Sequence, residues 1–228
     1  MTLKKGMPTM KADFDKAARL AAETLIKNKV SSAPDDPLHI MKHVPGVTVM
    51  SFADVSIRSG IERNSLLNLM GNYNQDAVTT VRLDRDELEY LVVFNMQIAT
   101  FAVTKAIARE LGHIILRHDG SRPEAVRDAE SICFAQHLLR PRAMIRALQE
   151  SGIRLSYDLL GNLTGCNNDC LQIMSNVPAA HVPAELNRAV KDQFSGYVAD
   201  IVYCKDILTQ GDESPLADFG TYMDGYEE

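Results

Sequence analysis

Apolar residues recur at three- and four-residue spacing through Phe14, Ala17, Ala18, Ala21, Leu25 and Ile26, which predicts an amphipathic helix over about 13–29 with Asp13 as its N-cap. A turn cluster from Ser31 to Pro37 follows, and a short helix over Leu38–His43 is stopped by Pro45 and Gly46. Alternation with β-branched residues predicts a strand over Val47–Phe52, and the runs Val78–Leu83 and Leu88–Asn95 pattern as a hairpin around the polar segment Asp84–Glu87. Between them, residues 56–75 have no clear period and read as loop with a short helix around Ser65–Met70. The helical period returns over about 98–117, breaks at Gly120 and Pro123, and resumes over Glu124–Leu139 up to Pro141. Beyond Pro141 the pattern predicts helices over Arg142–Glu150, Leu155–Leu163, Asn168–Ser175 and Ala184–Phe194, while Gly196–Leu208 is apolar enough for strand or helix.

These patterns describe an α+β chain: a domain over residues 1–141, a helical extension over 142–210 and a tail over 211–228 that carries acidic groups and no Lys or Arg. The tail reads as a mobile segment or one that docks on a basic surface. The expected sheet is small and antiparallel, with the helix over 98–117 at the centre. At 228 residues, 46% hydrophobic and 24% charged, the composition is that of an ordinary globular protein. No apolar run approaches the roughly 20 residues of a membrane span. No signal-peptide h-region follows the N-terminal lysines, and the four cysteines fit a reduced, cytoplasmic setting. A net charge of −6 argues against wholesale nucleic-acid binding.

The chemistry sits in the central helix. Ile107, Leu111, Ile114 and Ile115 form its core stripe, and Arg109, Glu110 and His113 break out of it together. Residues 109 and 113 stack four apart on one face, with Glu110 leaning the same way. Zinc peptidases use this spacing: ligands at i and i+4 and a carboxylate beside the first to activate the metal-bound water. Glu130 lies near the start of the next predicted helix; if that helix returns antiparallel, its carboxylate comes back toward His113 as a third ligand.

Ala108–Leu116, in place of an Ala-His-Glu-Leu-Gly-His signature, together with Glu130, Phe134, Ala135, Leu138, Leu139 and Pro141, resembles the ImmA/IrrE family of zinc metallo-endopeptidases over about residues 12–175. The resemblance implies a zincin-like domain whose zinc is held by two histidines of the central helix and a glutamate of the next. It implies an activity that cleaves or otherwise inactivates helix-turn-helix repressors, often on mobile elements or in stress responses. Carried over, Glu110 matches the general base, His113 the second zinc ligand and Glu130 the third. Arg109 stands where the first histidine belongs. Guanidinium stays protonated and offers no lone pair, so it cannot ligate a cation. Its charge also repels one, and it can pair with Glu130 or Glu110 instead. The expectation is a degenerate pseudo-peptidase, with zinc absent or weak, that engages a repressor-like protein or peptide as a regulatory binding protein. The alternatives are an active zinc endopeptidase with a non-standard ligand set and a DNA-binding regulator.

Other residues bear on these alternatives. His118, five past His113, is about 140° around a helix and cannot replace position 109 without a break in it. His137 is two turns from Glu130, roughly 10 Å, too far to share one ion. His39, His43 and His181 reach the site only by tertiary accident, and Glu110 with His113 lacks the second Glu-x-x-His of a di-iron site. Cys166 and Cys170 read as buried thiols on one helix face. The helix-turn-helix pattern over 155–176 has no Lys or Arg in its second helix, Asn167–Asn176, which argues against DNA as a partner. Seven arginines between 109 and 146 read as a paired surface or as a docking face for an acidic partner or the chain's own tail. Neither partner identity nor oligomeric state is legible.

Overall fold

The computed structural model describes residues 11–33, 36–69, 76–84, 87–96, 100–164 and 180–204. α1 (Phe14–Lys27) starts where the Asp13 side chain accepts the Lys16 N–H at 3.0 Å. Its buried face is built from Ala17, Ala18, Ala21, Ala22 and Leu25, small enough for a neighbouring helix to approach closely. α2 (Pro37–Lys42) is capped by Asp36 with Pro37 at its first position.

β1 (Val47–Ser51) ends one residue earlier than its apolar pattern suggests. Ser51 forms a reciprocal capping box with Asp54 and starts α3 (Phe52–Ser59), which Gly60 closes in the left-handed region at φ 68°. α4 (Arg63–Leu69) follows, so the stretch expected to be mostly loop carries two helices. The hairpin forms as its alternation predicts, β2 (Ala77–Asp84) against β3 (Glu87–Phe94), with Val81 opposite Tyr90 and Thr79 opposite Val92. The sheet is mixed rather than antiparallel throughout: its order is β1-β3-β2, and β1 joins β3 in parallel with Val49 opposite Val92. The reason is the long path between β1 and β3, which brings β3 alongside β1 running the same way.

α5 (Thr100–Ile115) packs against the sheet through β2 and β3 and against α6 (Glu124–Leu139) on its other side. The α5–α6 approach is set by Gly112. A methyl group there would meet the Ser131 carbonyl oxygen at 3.1 Å and the Phe134 ring at 3.1 Å. Ile107, Leu111 and Ile114 of α5 and Phe134, Leu138 and Leu139 of α6 are buried, as their spacing predicts. α1 lies across α6.

α7 (Arg142–Glu150) follows directly after Pro141, and α8 (Tyr157–Thr164) comes next. α9 (Ala184–Gln193) and α10 (Ser195–Tyr203) complete the described chain. The undecided stretch after Gly196 is therefore helical through Tyr203. Both α9 and α10 pack on α7, and α9 also packs on α1. Gln193 donates to the Leu25 carbonyl at 3.0 Å, and one apolar cluster runs from Ala17 through Leu148 to Ile201. The helix expected over Asn168–Ser175, the Cys166–Cys170 pair and the acidic tail lie outside the described residues. Among those residues, no helix is long and apolar enough to cross a membrane.

Candidate functional site

The site is built where α5 ends and α6 begins. α5 stops at Ile115, and Arg117 takes the left-handed conformation at φ 54°. The Arg117 N–H then bonds the Ile114 carbonyl at 3.0 Å and the His118 N–H bonds the His113 carbonyl at 3.0 Å, a Schellman closure of the helix. This is the break that His118 requires. It folds the chain back so that His118 Nδ1 lies 2.9 Å from His113 Nδ1, with the rings edge to face at 72°. On its other side, His118 Nε2 lies 2.9 Å from Glu130 Oε2.

Glu130 is almost fully buried, at 1% exposure, and its carboxylate is surrounded by donors. Arg122 reaches both oxygens as a fork, Nη1 to Oε2 at 2.7 Å and Nη2 to Oε1 at 2.8 Å. The Asp13 N–H donates to Oε1 at 2.7 Å, which ties the start of α1 to α6. With the His118 contact, four donors meet a group that has about four acceptor positions. The turn that aims Arg122 is closed by Asp119, whose Oδ1 accepts the Ser121 N–H at 2.9 Å.

Proton positions follow from these partners. Glu130 accepts on both oxygens, so His118 presents Nε2–H to it and offers the lone pair of Nδ1 to His113. His113 therefore donates from Nδ1 and carries its lone pair on Nε2, 3.6 Å from Asp128 Oδ1. Burial pulls the His113 pKa down to about 3, helped by the nearby His118, Arg109 and Arg127. His118 is also lowered, by burial first, against the opposing pull of Glu130. Both rings are thus neutral near pH 7, and the His113–Asp128 approach is a contact of a neutral ring rather than an ion pair.

Arg109 turns toward its neighbour: Nη2 lies 3.0 Å from Glu110 Oε1, and the Glu110 side chain is only 5% exposed. Of the two partners open to Arg109 from sequence, Glu110 is the one it takes, while Glu130 goes to Arg122. The four residues singled out in advance, Arg109, Glu110, His113 and Glu130, do lie on adjoining faces of α5 and α6. His113 and Glu130, however, are joined through the His118 ring. His118, Arg122 and the backbone of Asp13 complete the cluster. No periodicity signals the first, and the other two come from outside both helices. His137 is buried on α6 with its pKa pulled down to about 3, chiefly by burial. His39 and His43 lie against each other at the surface, ring centroids 4.5 Å apart and planes tilted by 55°, and the His181 N–H bonds Asp15 at 2.7 Å.

The zinc implied by the resemblance can be tested against this donor set. Position 109 supplies a cation, Glu130 has its acceptor positions filled by protein donors, and both His118 nitrogens are engaged. Among the described residues, no group of three or more His, Cys, Asp or Glu is arranged to hold a metal ion. The residues in this arrangement do not fit a three-ligand zinc site. Searches against protein-family models, curated proteins and solved structures return no significant match.

Away from this cluster, Arg142, Arg146, Arg188 and Lys191 line a cleft of about 630 Å³ between α7 and α9. Glu150 and Asp192 line it too, and Lys191 binds Glu150 at 2.6 Å, so its charge is mixed.

Proposed function

We propose that this chain is a degenerate metallopeptidase of the ImmA/IrrE kind that acts in the cytoplasm as a regulatory binding protein for a repressor-like partner, without efficient peptide hydrolysis. The observation that carries the reading is the pairing of Arg109 with Glu110. A general base must be free to take a proton from an activated water, and here the matched carboxylate is held by a permanent cation that occupies the first ligand position. Among the described strands β2 pairs with β3 alone, and strand addition along its other edge, beside α5, is the binding mode we assign to an extended partner segment.

The test uses a helix-turn-helix repressor encoded beside this protein, incubated with wild type and with Glu110→Gln. Both proteins are expected to bind the repressor, and neither to cut it. Cleavage by wild type that disappears in Glu110→Gln would favour the working endopeptidase with an unusual ligand set and end the binding-only reading. Tight, salt-sensitive binding of random duplex DNA would favour the DNA-binding alternative.

A further inference from the structure

We infer that Arg122 is a second, independent closure of the metal site, so that restoring histidine at position 109 alone does not make this protein a zinc binder. The inference rests on the pseudo-peptidase reading and deepens it. Arg109 and Arg122 act on different carboxylates. Arg109 faces Glu110 from the i position of α5, whereas Arg122 enters from the α5–α6 turn and grips Glu130 with both arms of its guanidinium. A zinc ion approaching Glu130 would have to displace that fork, and the Asp13 N–H and His118 contacts hold the carboxylate in the orientation that suits the fork.

His118 is the weaker part of the closure, since a neutral ring can turn out of its hydrogen bonds once the guanidinium no longer holds the carboxylate. Its ring lies between the two residues that would otherwise be neighbouring ligands, bonded to His113 on one side and to Glu130 on the other. A metal ligand must turn a lone pair toward the ion, yet the lone pair on His118 Nδ1 is already directed at His113. A new histidine at 109 would therefore add a donor without releasing the carboxylate. The charges agree with this geometry. Glu110 and Glu130 are two buried carboxylates, and the two guanidiniums supply the same +2 that a zinc ion would. Removing only Arg109 leaves one cation in place, within contact distance of the oxygen a metal needs.

The experiment measures zinc content and zinc titration of the full chain as wild type, Arg109→His, Arg122→Gln and the double variant, with folding checked by thermal denaturation. Wild type and both single variants are expected to take up no stoichiometric zinc. The double variant is expected to take up one equivalent, and Arg109→His to bind roughly a thousandfold more weakly than it. Zinc bound by Arg109→His as tightly as by the double variant, with wild type empty, would overturn the role of Arg122 and leave the pseudo-peptidase reading standing. A folded double variant that takes no zinc would overturn it as well. One equivalent in wild type, lost on Glu130→Gln, would overturn the pseudo-peptidase reading itself. Should Arg122→Gln fail to fold, Arg122→Met keeps the packed stem without the charge and replaces it in each arm.

Discussion

Acid should destabilise this protein well before its carboxylates titrate, because two histidines are held neutral in the fold, His137 buried and His113 half-buried. His137 sits inside α6, 5% exposed, with its pKa pulled down to about 3 by burial and by the neighbouring Arg142 and Arg140. His113 is pulled to about 3 by burial first and by His118, Arg109 and Arg127 after it. In the unfolded chain each ring titrates near about 6.5. A folded-state pKa below the unfolded one means that the unfolded chain takes up the proton first. Stability is therefore complete above about pH 6.5 and falls as the pH drops from there toward about 3, by up to about 1.4 kcal/mol per pH unit for each ring. Between pH 7 and pH 5 this comes to about 2 kcal/mol per ring, or about 4 kcal/mol for the pair, a large part of the roughly 5–15 kcal/mol typical of a domain. His118 is shifted the same way and adds to the effect. Urea unfolding at pH 7, 6 and 5 measures it, and His137→Leu, which removes one titrating ring, should roughly halve the loss. Equal unfolding free energies at pH 7 and pH 5, or an unchanged pH slope in His137→Leu, would refute the reasoning.

Three further outcomes follow from the packing and the ion pairs. Gly112→Ala should lower stability by about 1–3 kcal/mol in urea unfolding, since its methyl would press on Phe134 and the Ser131 carbonyl, whereas Gly120→Ala, with open space around it, should change little. Glu130→Gln should cost roughly 3–5 kcal/mol by the same assay, because it leaves the Arg122 fork and the Asp13 N–H without the charge they converge on. A chelator should leave the melting temperature of the wild-type protein unchanged, since the carboxylates are neutralised by side chains; a fall of several degrees would mean that a bound ion contributes to the fold.

Much of the fold was legible because it is carried by patterns that do not depend on distant partners. Asp13 as N-cap, the buried stripe of α5, the α6 boundaries at Glu124 and Leu139, and the hairpin all follow from local spacing and turn chemistry. The errors fall where a side chain overrides the pattern. Ser51 ends β1 by capping α3, a switch that the apolar residue Phe52 hides. The parallel pairing of β1 depends on how the chain returns after a long path, which strand periodicity does not encode. The candidate site was half legible. Arg109, Glu110, His113 and Glu130 follow from helical spacing, but His118 enters through a left-handed residue that is arginine rather than glycine, so nothing marks the break. Arg122 is one arginine among seven between 109 and 146, and only tertiary geometry singles it out.

The cluster is not explained by stability alone. Buried ion pairs seldom hold two helices better than apolar residues of the same size, and α5 and α6 already meet where Gly112 packs on Phe134 and the Ser131 carbonyl. What the polar cluster adds is a defined arrangement: it fixes the turn after α5, anchors the first residue before α1, and holds each buried carboxylate against one guanidinium. A divalent ion neutralises such a pair of carboxylates only when it is bound, so a site of that kind has two states. Arginines carried by the chain itself give one state at any metal concentration. A protein that works by presenting a strand edge and a fixed surface gains from that constancy, whereas a hydrolase needs an open coordination position and a base that can accept a proton. On the function we propose, the pairing of Arg109 with Glu110 and of Arg122 with Glu130 therefore fits binding rather than turnover.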